Sequence, residues 1–152
     1  MHLPHYLGLL HRAELNLADA FRQVGDTHAA EPDVYHLCHT LAGQCDGHTE
    51  RLRPAMERYG EEAPSEPDRL HSELFKGTRS GPLGLLRDLH DLYLMATECE
   101  LAWTVIGQAA QAARDRELIE VVQACRPETA TQLKWLETRI KQAAPQALVV
   151  AR

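Results

Sequence analysis

Four long stretches of this chain carry apolar residues at alternating steps of three and four, with Gly, Pro and Asp breaks between them. That spacing gathers the apolar side chains on one side of a helix and suits no strand. In the first stretch the stripe is Leu7, Leu10, Leu17 and Phe21, flanked by Ala13 and Ala20. It predicts a helix from about Leu3 to Val24, stopped by Gly25-Asp26. The second opens at Glu31-Pro32-Asp33, with Pro in the first turn where its missing N–H costs nothing. It carries Val34, Leu37, Leu41, Leu52 and Met56 and closes at Gly60, with a kink predicted at Pro54. A third runs from about Leu83 to Ala113 through Leu85, Leu89, Leu92, Ala96, Trp103 and Ile106. The fourth follows Arg114-Asp115, with Asp115 as N-cap. Leu118, Val121, Val122, Leu133, Leu136 and Ile140 mark its stripe, Pro127 should kink it, and Pro145 should end it.

Composition supports an all-α reading. Aromatics are 5% of the 152 residues, and β-branched runs are nearly confined to Val121-Val122 and the tail. The length suits one domain. We expect a four-helix bundle over residues 1–145 and a tail over 146–152. Short links tie helices 1 and 2, and helices 3 and 4, into antiparallel pairs. Between Gly60 and Gly81 the pattern lapses, with room for two short turns of helix at Asp68 to Phe75. A connection that long permits one crossover, the topology of ferritin-like bundles.

The formal net charge of −6 argues against nucleic acid as a partner and against a basic membrane-surface protein. The N-terminal segment is broken by His5, His11 and Arg12, so it has neither a signal-peptide core nor a membrane span. Cys38, Cys45, Cys99 and Cys125 form no CxxC pair. A reduced, cytoplasmic setting is expected, with the thiols packed as small apolar groups. There is no P-loop, GxGxxG, GxSxG or HExxH. Serine occurs only at 65, 72 and 80, in the connection, which excludes a serine nucleophile in the core.

Polar residues that fall on apolar stripes carry the functional information. Glu14 lies between Leu10 and Leu17, His48 between Cys45 and Leu52, Glu100 between Ala96 and Trp103, and Glu128 between Cys125 and Gln132. Each of the four helices thus places one such group near its middle. Three carboxylates and one imidazole converging inside a bundle would repel unless a cation or protons stood among them. Oxygen ligands with one imidazole suit iron, manganese or zinc. The alternative is a boundary or salt-bridge role for each residue. Of the nine His, His36 and His39 read as a solvated pair, and His2, His5, His11, His28, His71 and His90 as surface groups. None follows His90.

The segments Leu10-His11-Arg12-Ala13-Glu14 and Ala42-Gly43-Gln44-Cys45-Asp46-Gly47-His48-Thr49-Glu50-Arg51-Leu52 resemble the ferritin-like superfamily. They are most similar to the YciE/YciF-like branch of stress-associated ferritin-like proteins. Glu100-Leu101-Ala102-Trp103 looks like that branch's third-helix stretch, and Glu128 with Gln132-Leu133 is a weaker match. The resemblance implies Glu14, His48, Glu100 and Glu128 as metal-ligand positions, and a homodimer paired along helices 1 and 2. The chain also departs from the pattern. A ferritin-like di-metal site takes a Glu from two helices and Glu-x-x-His from the other two. Here Cys45 stands three before His48, Thr131 three after Glu128, and Thr97 three before Glu100. The expected function is a non-catalytic scaffold or stress-related binding protein with an incomplete or lost metal site and no cofactor. The alternative is an oxidase or ferroxidase using the four residues with iron, manganese or zinc. A protein or small-molecule partner is not identified by the sequence.

Overall fold

The computed structural model describes residues 1–60 and 75–151. Among them the regular structure is entirely helical. Helix α1 spans Leu3–Thr27, α2 Pro32–Tyr59, α3 Gly81–Ala112 and α4 Arg116–Pro145. None is long and apolar enough to cross a membrane. Beyond α4 the chain continues as a π-helical turn, Gln146–Val150, closed by the Ala151 N–H donating to the Gln146 carbonyl at 2.8 Å. The short helix expected at Asp68 to Phe75 lies almost wholly outside the described residues.

The helix ends follow from local chemistry, with one instructive difference. Helix α1 runs past the expected stop at Gly25 to Thr27. Gly25 is a contact point, not a breaker: a Cβ there would lie 3.1 Å from Cys38 Cβ and 3.2 Å from the His39 ring. The bare glycine lets α1 and α2 approach closely where they join. Helix α2 ends on Gly60, whose φ of 84° ordinary side chains rarely adopt. Asp115 caps α4 as expected, accepting from the Leu118 N–H at 3.1 Å. Helices α2 and α4 continue through Pro54 and Pro127.

Helix α1 packs against α2 and α3, and α4 packs against α3 and α2. Their inner faces bury Leu7, Leu10, Leu17, Phe21, Leu52, Leu89, Leu92, Trp103, Ile106, Leu118 and Leu136 completely. Ion pairs tie the helix ends. Arg58 donates to Glu117 at 2.7 Å and to Asp115 at 3.0 Å, and the Tyr59 hydroxyl donates to Asp115 at 2.7 Å. The Arg139 Nε–H donates to Asp33 at 2.7 Å.

One of these ties corrects the sequence reading. His28, expected at the surface, is buried against Asp88, with Nε2 and Oδ2 at 2.8 Å. Asp88 is itself fully buried and also accepts from the Arg79 backbone N–H at 3.0 Å and the Arg79 guanidinium at 2.8 Å. Arg79 bridges on to Asp91 at 2.9 Å. Gly84 makes the fit possible, since a Cβ there would lie 2.7 Å from the Arg79 carbonyl carbon. Asp88 thus fastens the approach to α3 onto the end of α1. Asp88→Ala should lower unfolding free energy by about 2–3 kcal/mol, because it strands the buried His28 and frees the segment before α3. Gly84→Ala should destabilise in the same direction through backbone collision. Urea unfolding of both variants checks this.

Candidate functional site

Three of the four polar residues expected on the inner faces meet at mid-bundle. Helical spacing turns Glu14 of α1 and His48 of α2 inward, and both are buried. His48 Nδ1 lies 3.0 Å from Glu14 Oε1, and its Nε2 lies 3.0 Å from Glu128 Oε1 on α4. Helix α3 joins through a residue read from sequence only as core. The Trp103 indole N–H donates to Glu14 Oε1 at 3.0 Å, and its ring meets the imidazole edge-on with centroids 5.8 Å apart. All four helices therefore contribute to one polar layer.

Glu100 does not join this layer. Its Oε1 accepts from the Arg126 Nε–H at 3.0 Å, on the α3–α4 flank. The spacing placed it near the inner face, and a cation on α4 takes it to the edge of that face. Two neighbours extend the layer. The Gln132 amide donates to Gln44 at 3.1 Å and lies 3.8 Å from the Cys45 sulfur. Glu14 Oε2, Gln132 Oε1 and Glu100 Oε2 are buried acceptors that find no hydrogen-bond donor among the described residues.

The electrostatics favour a charged imidazole. Burial alone would lower the His48 pKa, and it is the largest single effect. The hydrogen bond and charge of Glu14, reinforced by those of Glu128, outweigh it and raise the pKa above the ordinary 6.5. Doubly protonated, the ring donates from both nitrogens to two carboxylates. The two halves are unequal: Glu14 is buried, whereas the Glu128 side chain is 45% exposed and screened by solvent. The thiols are held in the opposite sense. Burial first, and the Glu14 charge second, push Cys45 and Cys99 well above their ordinary range. Burial also raises Cys38 and Cys125 to about 12. All four thiols are free and buried, and burial favours the thiol over the nucleophilic thiolate.

A di-metal centre of the ferritin-like kind does not fit this donor set. Metal binding by His48 needs a nitrogen lone pair directed at the metal, but both ring nitrogens are engaged with carboxylate oxygens of Glu14 and Glu128. The positions where carboxylate or imidazole ligands would complete the set hold Cys45, protonated, and Thr131, whose hydroxyl donates to the Pro127 carbonyl at 3.1 Å. Among the described residues no three His, Cys, Asp or Glu side chains are grouped so as to hold a metal ion. The chain matches no protein-family model, no curated protein and no solved structure.

The raised pKa makes the layer a pH-dependent source of stability. The folded chain binds the His48 proton more tightly than the unfolded chain. The contribution is therefore complete below about 6.5, the unfolded value, and is lost as pH rises through the higher folded-state pKa. Urea unfolding at stepped pH should show this decline on the alkaline side. In Glu14→Gln, NMR titration of the His48 ring should show its pKa falling toward or below 6.5, since burial is then opposed by Glu128 alone. An unchanged His48 pKa in that variant would refute the assignment.

Proposed function

We propose that this chain is a ferritin-like bundle whose central layer is neutralised by a protonated histidine in place of metal, and that it acts as a non-catalytic scaffold or binding protein. The observation that carries the reading is the imidazole of His48, bonded through both nitrogens to Glu14 and Glu128. A cation already stands between the carboxylates. It is covalently part of the chain and carries no redox chemistry.

The connectivity has its own support. His28 at the end of α1 meets Asp88 near the start of α3. Arg58 at the end of α2 meets Asp115 before α4, and Arg139 late in α4 meets Asp33 at the start of α2. These contacts run α1 against α3 and α2 against α4. They support a reading in which the end of α2 and the start of α3 lie at opposite ends of the bundle, with α2 and α3 on a diagonal. One crossover with every neighbouring pair antiparallel is the ferritin-like arrangement.

The competing reading, a metal-binding oxidase or ferroxidase using Glu14, His48, Glu100 and Glu128, has one observation in its favour. Glu14 Oε2 and Glu100 Oε2 are buried with no donor among the described residues. Metal analysis separates the two. Protein purified without chelator should carry less than about 0.1 equivalent of iron, manganese or zinc, and added Fe(II), Mn(II) or Zn(II) should leave its melting temperature within about 1 °C. Near-stoichiometric metal that disappears in His48→Ala would overturn the scaffold reading in favour of the metalloprotein.

A further inference from the structure

Where α1 and α4 end and α2 and α3 begin, the helix ends surround a cavity of about 730 Å³. That volume suits a small-molecule site. Its wall includes a buried group that the fold leaves half used. His28 is only 8% exposed, and its Nε2 is fixed on Asp88 at 2.8 Å. Asp88 is an acceptor that also takes bonds from the Arg79 backbone N–H and guanidinium, so Nε2 carries the proton of the neutral ring. Nδ1 is then a lone pair with no hydrogen-bond partner among the described residues. It is not sealed away as Glu14 Oε2 and Gln132 Oε1 are. This edge of the ring opens on the cavity that His28 lines.

We propose that this cavity binds a small primary amine, its ammonium donating to His28 Nδ1 and its alkyl chain lying on Ala30, Pro82, Leu85 and Ala143. Those four residues give the cavity an apolar wall. Its polar lining is rich in acceptors, with Glu31, Asp33, Gln142 and Gln146. Arg139 also lines it, but its donors are already spent on Asp33 at 2.7 Å and Glu31 at 3.4 Å. An ammonium brings three donors and no acceptor, which is what such a lining lacks.

Charge selects a cation over an anion. Glu31 and Asp33 share the single Arg139, and behind His28 Asp88 and Asp91 share the single Arg79. Negative charge is therefore in excess around this space when the ring is neutral. A cavity lined by one sign of charge concentrates the opposite ion. The helix dipoles leave that balance unchanged, since two helices begin here and two end here. The inference goes beyond the scaffold reading by giving the binding protein a ligand class and a site for it. It uses no residue of the central layer, so it stands or falls apart from the metal measurement.

Calorimetric titration of the full chain with butylamine, and separately with succinate, tests it at about pH 8.5, where a primary ammonium keeps its charge. Butylamine should bind with Kd of about 1 mM or below, and succinate should give no heat up to about 20 mM. In long-range proton–nitrogen spectra, butylamine should move the His28 Nδ1 resonance and leave the His48 nitrogens in place. Gln142→Trp, at an exposed position on the rim, should fill the mouth and weaken binding at least tenfold with unchanged circular dichroism. Glu31→Gln should weaken it at least threefold, whereas Glu50→Gln, the same change of charge at mid-α2, should leave it intact. No binding of butylamine up to about 20 mM would overturn the proposal, as would succinate binding equally well. So would binding that leaves His28 Nδ1 unmoved, or that is indifferent to Gln142→Trp.

Discussion

The bundle is organised around the cost of burying Glu14. A fully buried carboxylate without a counter-charge costs several kcal/mol, and no apolar packing around it removes that cost. The His48 ring, whose pKa this carboxylate raises, meets it from α2, Trp103 supplies an N–H donor from α3, and Glu128 holds the far side of the ring. The requirement reaches all four helices, because each bond crosses from one to another. Lengthwise sliding of any helix by one residue would break at least one of them. Apolar stripes make a bundle compact, and this layer makes one registration of the four helices better than its neighbours.

Latches at the ends of the helices complement the central layer. Asp88 gathers His28 and Arg79 where α1 ends, and Asp115 gathers Arg58 and Tyr59 where α4 begins. The two differ in character. Asp115 is a helix cap that also takes surface partners, so its energy is spread over modest, partly exposed bonds. Asp88 is fully buried and works only if all its partners are in place. Polar ties therefore stand where α1 ends, at the Glu14–His48 layer and where α4 begins, with apolar packing between them.

Much of this was legible in the residues, and the failures have physical causes. Spacing found four helices because each needs an apolar stripe, and it turned Glu14 and His48 inward correctly. It misjudged Gly25, since local sequence cannot tell a helix stop from a place where another helix presses close. It put His28 at the surface because its partner Asp88 lies 60 residues away, and no local pattern records such a pairing. Spacing brought Glu100 toward the inner face but could not reveal that Arg126 on α4 takes it to the flank. Trp103 falls on the apolar stripe of the third helix by its spacing. Its indole N–H, the group that matters to Glu14, is invisible to a periodicity argument. Faces are readable from one sequence, whereas partners across the bundle are settled only by the fold.

The carboxylate–imidazole–carboxylate arrangement also shapes how this core can change over generations. Losing one member of a buried charged set costs about 3–5 kcal/mol, while replacing the whole set with well-packed apolar residues is neutral or even favourable. Glu14, His48 and Trp103 are therefore coupled, and the effect of a substitution at one depends on what stands at the others. A lineage moving from this charged centre to an apolar one would have to cross poorly folded single mutants. The charged centre can thus persist because the routes away from it are closed, whether or not it is the most stable core these helices could build.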